Sequence, residues 1–119
     1  MWLLVFLLAA SDSTIVRSEV VKLIVDTDGI SDDIRALTVA LQHPNAEVIA
    51  VTTVTGCVSA TQSAANVART LRANNVQRKI PIYKGAETSF ILHDDPSIFD
   101  VSSFFGKDGI SDQPNACPP

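Results

Sequence analysis

Apolar positions along this chain switch between two periods. Residues 20–26 hold the continuous run Leu23-Ile24-Val25 and read as a buried strand. Beyond it Ile34, Leu37, Thr38 and Leu41 recur at helical spacing, which predicts a helix over residues 32–42. His43-Pro44-Asn45 reads as a turn, residues 46–54 as a second β-rich run, and Thr55-Gly56-Cys57 as another turn. Residues 59–73 predict a second helix with Ala60, Ala64, Val67, Ala68 and Leu71 on one face. A polar break over residues 74–79 leads to a short third strand at residues 80–83. From Glu87 onward the regularity fades, and His93-Asp94-Asp95-Pro96 and Gly106-Lys107-Asp108-Gly109 read as turns.

This β-α-β-α-β order predicts an α/β fold with an open parallel sheet and right-handed crossovers. The strand ends carrying Asp26 and Asp28, Thr53-Val54-Thr55 and Lys84-Gly85 then open onto one edge of the sheet, where ligands bind in such folds. Parallel sheets are normally covered on both faces, so three strands are the expected N-terminal part of a larger, truncated domain.

Composition narrows the picture. With 119 residues and 46% hydrophobic content the chain holds at most one globular domain, read over residues 20–119. A net charge of −4 with no basic stripe argues against nucleic acid as a partner. The apolar stretch from Trp2 to Ala10, with small residues at Ala9 and Ser11, reads as a signal peptide within a flexible leader of residues 1–19. That predicts a secreted protein with no stable membrane association after cleavage; no Lys or Arg precedes the stretch, and a non-functional leader would leave the protein cytoplasmic. Cys57 and Cys117 are compatible with one disulfide and lack metal-ligand spacing.

The chemistry concentrates in Asp26-Thr27-Asp28-Gly29-Ile30-Ser31-Asp32-Asp33, four carboxylates within eight residues on a strand-to-helix turn. One reading makes Ser31, Asp32 and Asp33 helix caps. Capping does not account for Asp26 and Asp28, and gathered hard oxygen ligands suit calcium or magnesium. An EF-hand does not fit, because counting Asp26 as the first ligand puts Ile30 at the fifth position. His43 and the acids beside His93 read as solvated, as do Arg69, Arg72, Arg78 and Lys79 on or after the second helix, while Asn66 within that helix is placed to bond a neighbouring loop.

The Asp-Thr-Asp at a strand end and Asp32-Asp33 opening a helix form one part of a longer pattern. With Val51-Thr52-Thr53-Val54-Thr55-Gly56 and Ile80-Pro81-Ile82-Tyr83-Lys84-Gly85-Ala86, it resembles the inosine–uridine-preferring nucleoside hydrolases. The likeness runs from Val20 to Ala86, extends to Gly106-Lys107-Asp108-Gly109, and covers about the first third of a full member. It implies calcium-dependent cleavage of the N-glycosidic bond of a ribonucleoside, and it leaves a homo-oligomer open for the full-length protein. By the same resemblance Asp28 ligates calcium and takes the proton from the attacking water, Asp33 is a second calcium ligand, Asp32 bonds the ribose hydroxyls, and Asp26 supports the others. Cys57 stands where many members carry an asparagine that holds the ribose. The chain departs from the family in placing Gly29 directly after Asp28 and Phe105 where a histidine is common.

The chemistry agrees in direction. Glycosidic cleavage builds positive charge on the ribose, which a water acidified by a cation, a carboxylate base and a carboxylate beside the sugar all favour. An alternative is a magnesium-dependent phosphatase of the haloacid dehalogenase type, with Asp26 as nucleophile and Asp28 as acid/base. A third reading is a non-catalytic truncated product.

Overall fold

The computed structural model describes residues 19–88 and 102–112. The elements run β1 (Val21–Thr27), α1 (Ser31–Gln42), β2 (Ala46–Thr53), α2 (Ala60–Ala73), β3 (Ile82–Lys84) and α3 (Ser102–Phe105). Among the described residues the strands form one parallel sheet in the order β1-β2-β3. The strand order advances in one direction, and α1 and α2 touch each other and both pack on β2, so they lie side by side on the same face. Leu37, Val48, Val51, Val67 and Ile80 are buried between helices and sheet. No helix among the described residues is long and apolar enough to cross a membrane.

The pairing contains one irregularity. Leu23 faces Val48 but Ile24 faces Ala50, so Ile49 is an extra residue in β2. Beyond it the inward set shifts phase, and Val48, Val51 and Thr53 are all buried against the helices. Thr27 pairs with Thr53, and Thr53 with Lys84, so the three strands finish level at one edge.

Element boundaries move by a residue or two from those expected. β3 begins at Ile82 rather than residue 80 because Pro81 has no N–H for the ladder, although its carbonyl accepts from Val51. The more informative correction concerns α2, whose buried residues are Ala60, Ser63, Asn66, Val67 and Thr70. Ala64, Ala68 and Leu71 are only half-buried, so the helix is rotated toward a polar stripe. Arg69 is likewise not on a wet face: its side chain is 14% exposed, bonds Asn66 Oδ1 at 3.1 Å and lies 4.0 Å from the Asp108 carboxylate. Arg78 does sit outside, 3.7 Å from Glu47, and His43 is exposed with Nδ1 accepting from the Asn45 N–H. The leader, His93 to Pro96 and Cys117 lie outside the described residues.

Glu87, with no assigned role in the sequence reading, closes the N-terminus of α2. Ser59 Oγ accepts from the Gln62 N–H at 3.1 Å, while Glu87 accepts from the Ala60 N–H at 3.0 Å, Thr61 Oγ1 at 2.6 Å and Lys84 Nζ at 2.8 Å. A helix start offers unpaired N–H groups and a positive dipole end, and Glu87 answers both. The Lys84 hydrogen bond and then the Thr61 one hold its carboxyl down at about 2, below the ordinary 4.5. A depressed acid contributes stability above its unfolded value and loses it as pH falls through its folded value. Glu87→Gln is therefore expected to lower the melting temperature at neutral pH, with the deficit narrowing from about pH 4.5 toward about 2 in thermal melts across pH.

Candidate active site

The acid loop begins where β1 leaves the sheet. Thr27 is buried, its Oγ1 accepts the Gly29 N–H at 2.9 Å, and its carbonyl accepts from Ser63 Oγ at 3.2 Å. Gly29 follows with φ +71°, a left-handed conformation in which a Cβ would stand 2.8 Å from the Ser63 backbone. Glycine directly after Asp28 is thus what the path requires. Ile30 is the N-cap of α1 and makes no side-chain cap bond. The capping reading of Ser31, Asp32 and Asp33 fails on this point: they lie inside the helix, complementing its dipole without capping its amides.

Asp28 and Asp33 come together, half-buried and hydrogen-bonded to each other. The second strand's loop closes on Asp28 from the other side, with the Cys57 N–H 3.0 Å from Oδ2. Gly56 approaches so closely that a Cβ there would overlap the Asp28 carboxylate. Burial pushes the Asp28 carboxyl up, but hydrogen bonds from Asp33 and from the Cys57 and Ile30 amides outweigh it and hold the group below its ordinary value. Asp33 moves the opposite way, to about 6, through burial, its hydrogen bond to Asp28 and the charges of Asp28 and Asp32. Below about pH 6 the pair therefore holds one proton between its two carboxylates. Burial and then the Asp28 charge also raise the Cys57 thiol.

Asp32 is exposed. It lines an open cleft of about 340 Å³ with Ser31, Arg35, Phe104, Phe105 and Ser111. Asp26 is exposed and accepts a 2.5 Å hydrogen bond from Thr52 Oγ1, its partner across the sheet on the side away from the helices. The turn over residues 106–112 packs over the start of α1, with Ser31 Oγ donating to the Gly109 carbonyl at 3.3 Å and Gly109 against Ile30 and Val58. Asn66 joins it to the acid loop, as its placement in the sequence suggested. Thr27 and Ser63 went unnoticed there, because small hydroxyl residues in a strand and a helix carry no pattern.

Among the described residues no three His, Cys, Asp or Glu side chains gather into a group that would hold a metal ion by itself. Asp28 and Asp33 nevertheless suit a hard cation as part of a shell, since two facing carboxylates offer hard oxygen donors and a positive ion relieves their mutual repulsion. Without that ion, a proton bound more tightly in the folded than in the unfolded state makes stability fall as pH rises between the two values. With a chelator present, the melting temperature is expected to fall from about pH 3.8 to about 6, and Asp33→Asn to flatten that slope in melts across pH. The depressed Asp28 acts below this window.

A family model described as inosine-uridine preferring nucleoside hydrolase matches residues 23–119. The chain is 35% identical over 98 residues to probable uridine nucleosidase 2 of Arabidopsis thaliana, covering 82% of this chain and 29% of that protein. A solved inosine-guanosine nucleoside hydrolase superposes with TM-score 0.62 at 34% identity, over 76% of this chain and 26% of its own. A plant nucleoside hydrolase structure gives TM-score 0.65 at 28% identity, over 82% and 30% respectively. The chain thus spans less than a third of the length of these relatives.

Proposed function

The chain belongs to the inosine–uridine preferring nucleoside hydrolase family, and from that premise we propose that the whole protein hydrolyses the N-glycosidic bond of ribonucleosides to free base and ribose with calcium as cofactor. The observation that carries the proposal is the Asp28–Asp33 pair at the mouth of the sheet, two facing carboxylates with the Cys57 N–H 3.0 Å from Asp28 Oδ2. Asp28 is the base: its charge is kept by amide donors, so it can take a proton from the attacking water. Asp28 and Asp33 would together hold calcium. When bound, calcium supplies positive charge that neutralises the pair and makes nearby water more acidic. Asp32, on the open cleft, takes the ribose hydroxyls, with Cys57 on the other side of Asp28 as a second sugar contact. Asp26 supports the edge through Thr52.

Calcium takes six to eight oxygen ligands, and two carboxylates are a minority of that shell. Turnover is accordingly expected to need the remaining part of a full-length member, with the 119-residue chain alone inactive. The phosphatase alternative has no observation in its favour.

The test divides the acids in the whole protein. Asp33→Ala is expected to weaken calcium binding together with hydrolysis of inosine and uridine, whereas Asp32→Ala should keep calcium affinity within a fewfold and lose most turnover. Calorimetric calcium titration beside the nucleoside assays decides it. Calcium lost in Asp32→Ala and kept in Asp33→Ala would reverse the assignment.

A further inference from the structure

We propose that Asn66 and Ser63 on α2 are the positioning residues for Asp28, holding the peptides on either side of it, and that Asn66 also ties the acid loop to the turn over residues 106–112. The role rests on the nucleoside hydrolase reading for its consequence in catalysis, but its geometry stands apart from it. Ser63 Oγ donates to the Thr27 carbonyl at 3.2 Å, and Asn66 Nδ2 donates to the Gly29 carbonyl at 2.9 Å. These are the residues immediately before and after Asp28. The second hydrogen of Nδ2 goes to the Asp108 carbonyl at 2.7 Å, while Oδ1 accepts from Gln62 Nε2 at 2.9 Å and Arg69 NH1 at 3.1 Å.

Asn66 therefore uses both donors and both acceptor sites while fully buried. A buried amide with its whole capacity engaged admits few alternative arrangements, so the two carbonyls it grips have little freedom to rotate. Ser63 adds a steric stop, since its backbone lies where any side chain at position 29 would go. The spacing explains the polar stripe on α2: positions 63 and 66 lie one helical turn apart, so their side chains leave the same face toward the same loop. An apolar residue at position 66 would take the Nδ2 donor from the Gly29 carbonyl, whereas one at position 63 would leave the Thr27 carbonyl with the Val54 N–H at 3.1 Å. The bond from the Cys57 N–H to Asp28 Oδ2 then reads out whether the carboxylate is in place.

The experiment uses Asn66→Ala and Ser63→Ala in the whole protein, with amide hydrogen exchange followed beside steady-state kinetics on inosine and uridine. Exchange at Cys57 is expected to quicken at least about tenfold in Asn66→Ala while Val51, in the middle of β2, changes less than about twofold, because only local opening is affected. Turnover should fall about 10–100-fold, the range for residues that orient a catalytic or metal-binding group, with KM little changed. Ser63→Ala should show the same pattern more weakly, and it carries the test if Asn66→Ala does not fold. Parallel acceleration at Cys57 and Val51, or an unchanged Cys57, would overturn the positioning role and leave these residues as general contributors to stability. If the parent protein hydrolyses no nucleoside, the functional reading fails by itself, and the exchange comparison still decides the positioning.

Discussion

Asp28→Asn in the whole protein is expected to reduce kcat for nucleoside hydrolysis by about 10²–10⁴-fold, the usual worth of a positioned base. The substitution keeps the shape of the side chain and an oxygen for the Cys57 N–H, which now bonds Oδ2 at 3.0 Å, so the loop retains its anchor. What disappears is the negative charge and the ability to accept a proton. The Asp28 charge and hydrogen bond are also among the causes that raise Asp33, so the asparagine should bring Asp33 back toward its ordinary value. Steady-state assays with inosine and uridine check the first effect, and a carboxyl titration of the metal-free protein by NMR checks the second. A variant that keeps kcat within tenfold would remove Asp28 from the role of base.

Gly56→Ala is expected to damage the site almost as severely without changing any polar group. The added methyl would occupy the position of the Asp28 carboxylate, so either Asp28 turns away or the loop after β2 backs off and takes the Cys57 amide with it. A displacement of this kind, near 1 Å, costs about 10²-fold in rate. Overpacking adds about 1–3 kcal/mol of destabilisation. Kinetics and chemical denaturation of the same variant separate the two effects. Near-parental activity would show that the loop yields more easily than its packing indicates.

The sheet was readable because its strands are apolar runs bounded by turn residues, and the first two places in the chain where such a run ends are also the places where the site is built. Asp26 and Asp28 stood out as acids that helix capping did not account for, while Asp33 entered through the family resemblance. What pattern analysis could not see was direction. The helical face of Ala60, Ala64, Val67, Ala68 and Leu71 is the apolar one, yet α2 turns Ser63, Asn66 and Thr70 inward because the loop it packs against presents carbonyls that need donors. Arg69 reads as solvated by type, and is drawn in by Asn66 and Asp108, whose loop lies 42 residues beyond Asn66. Glu87 sits where periodicity has faded, so its part in closing α2 depends on a strand end that only folding brings near. In each case the missing information was a polar group that only folding brings near, and hydropathy carries no record of those.

The extra residue in β2 has a consequence in reach. Every residue of extended chain advances about 3.3 Å, so β2 spends one step on Ile49 without advancing along its neighbour. Had β2 run without that detour, residues 53 to 57 would overshoot the end of β1 by one rung, and the amide of Cys57 would pass the acid it now meets. Ile49 works as a spacer that trims one arm of a caliper: its jaws are Asp28 on one strand and Gly56-Cys57 on the next, and they close because one arm was shortened inside the sheet, five or more residues from the gap.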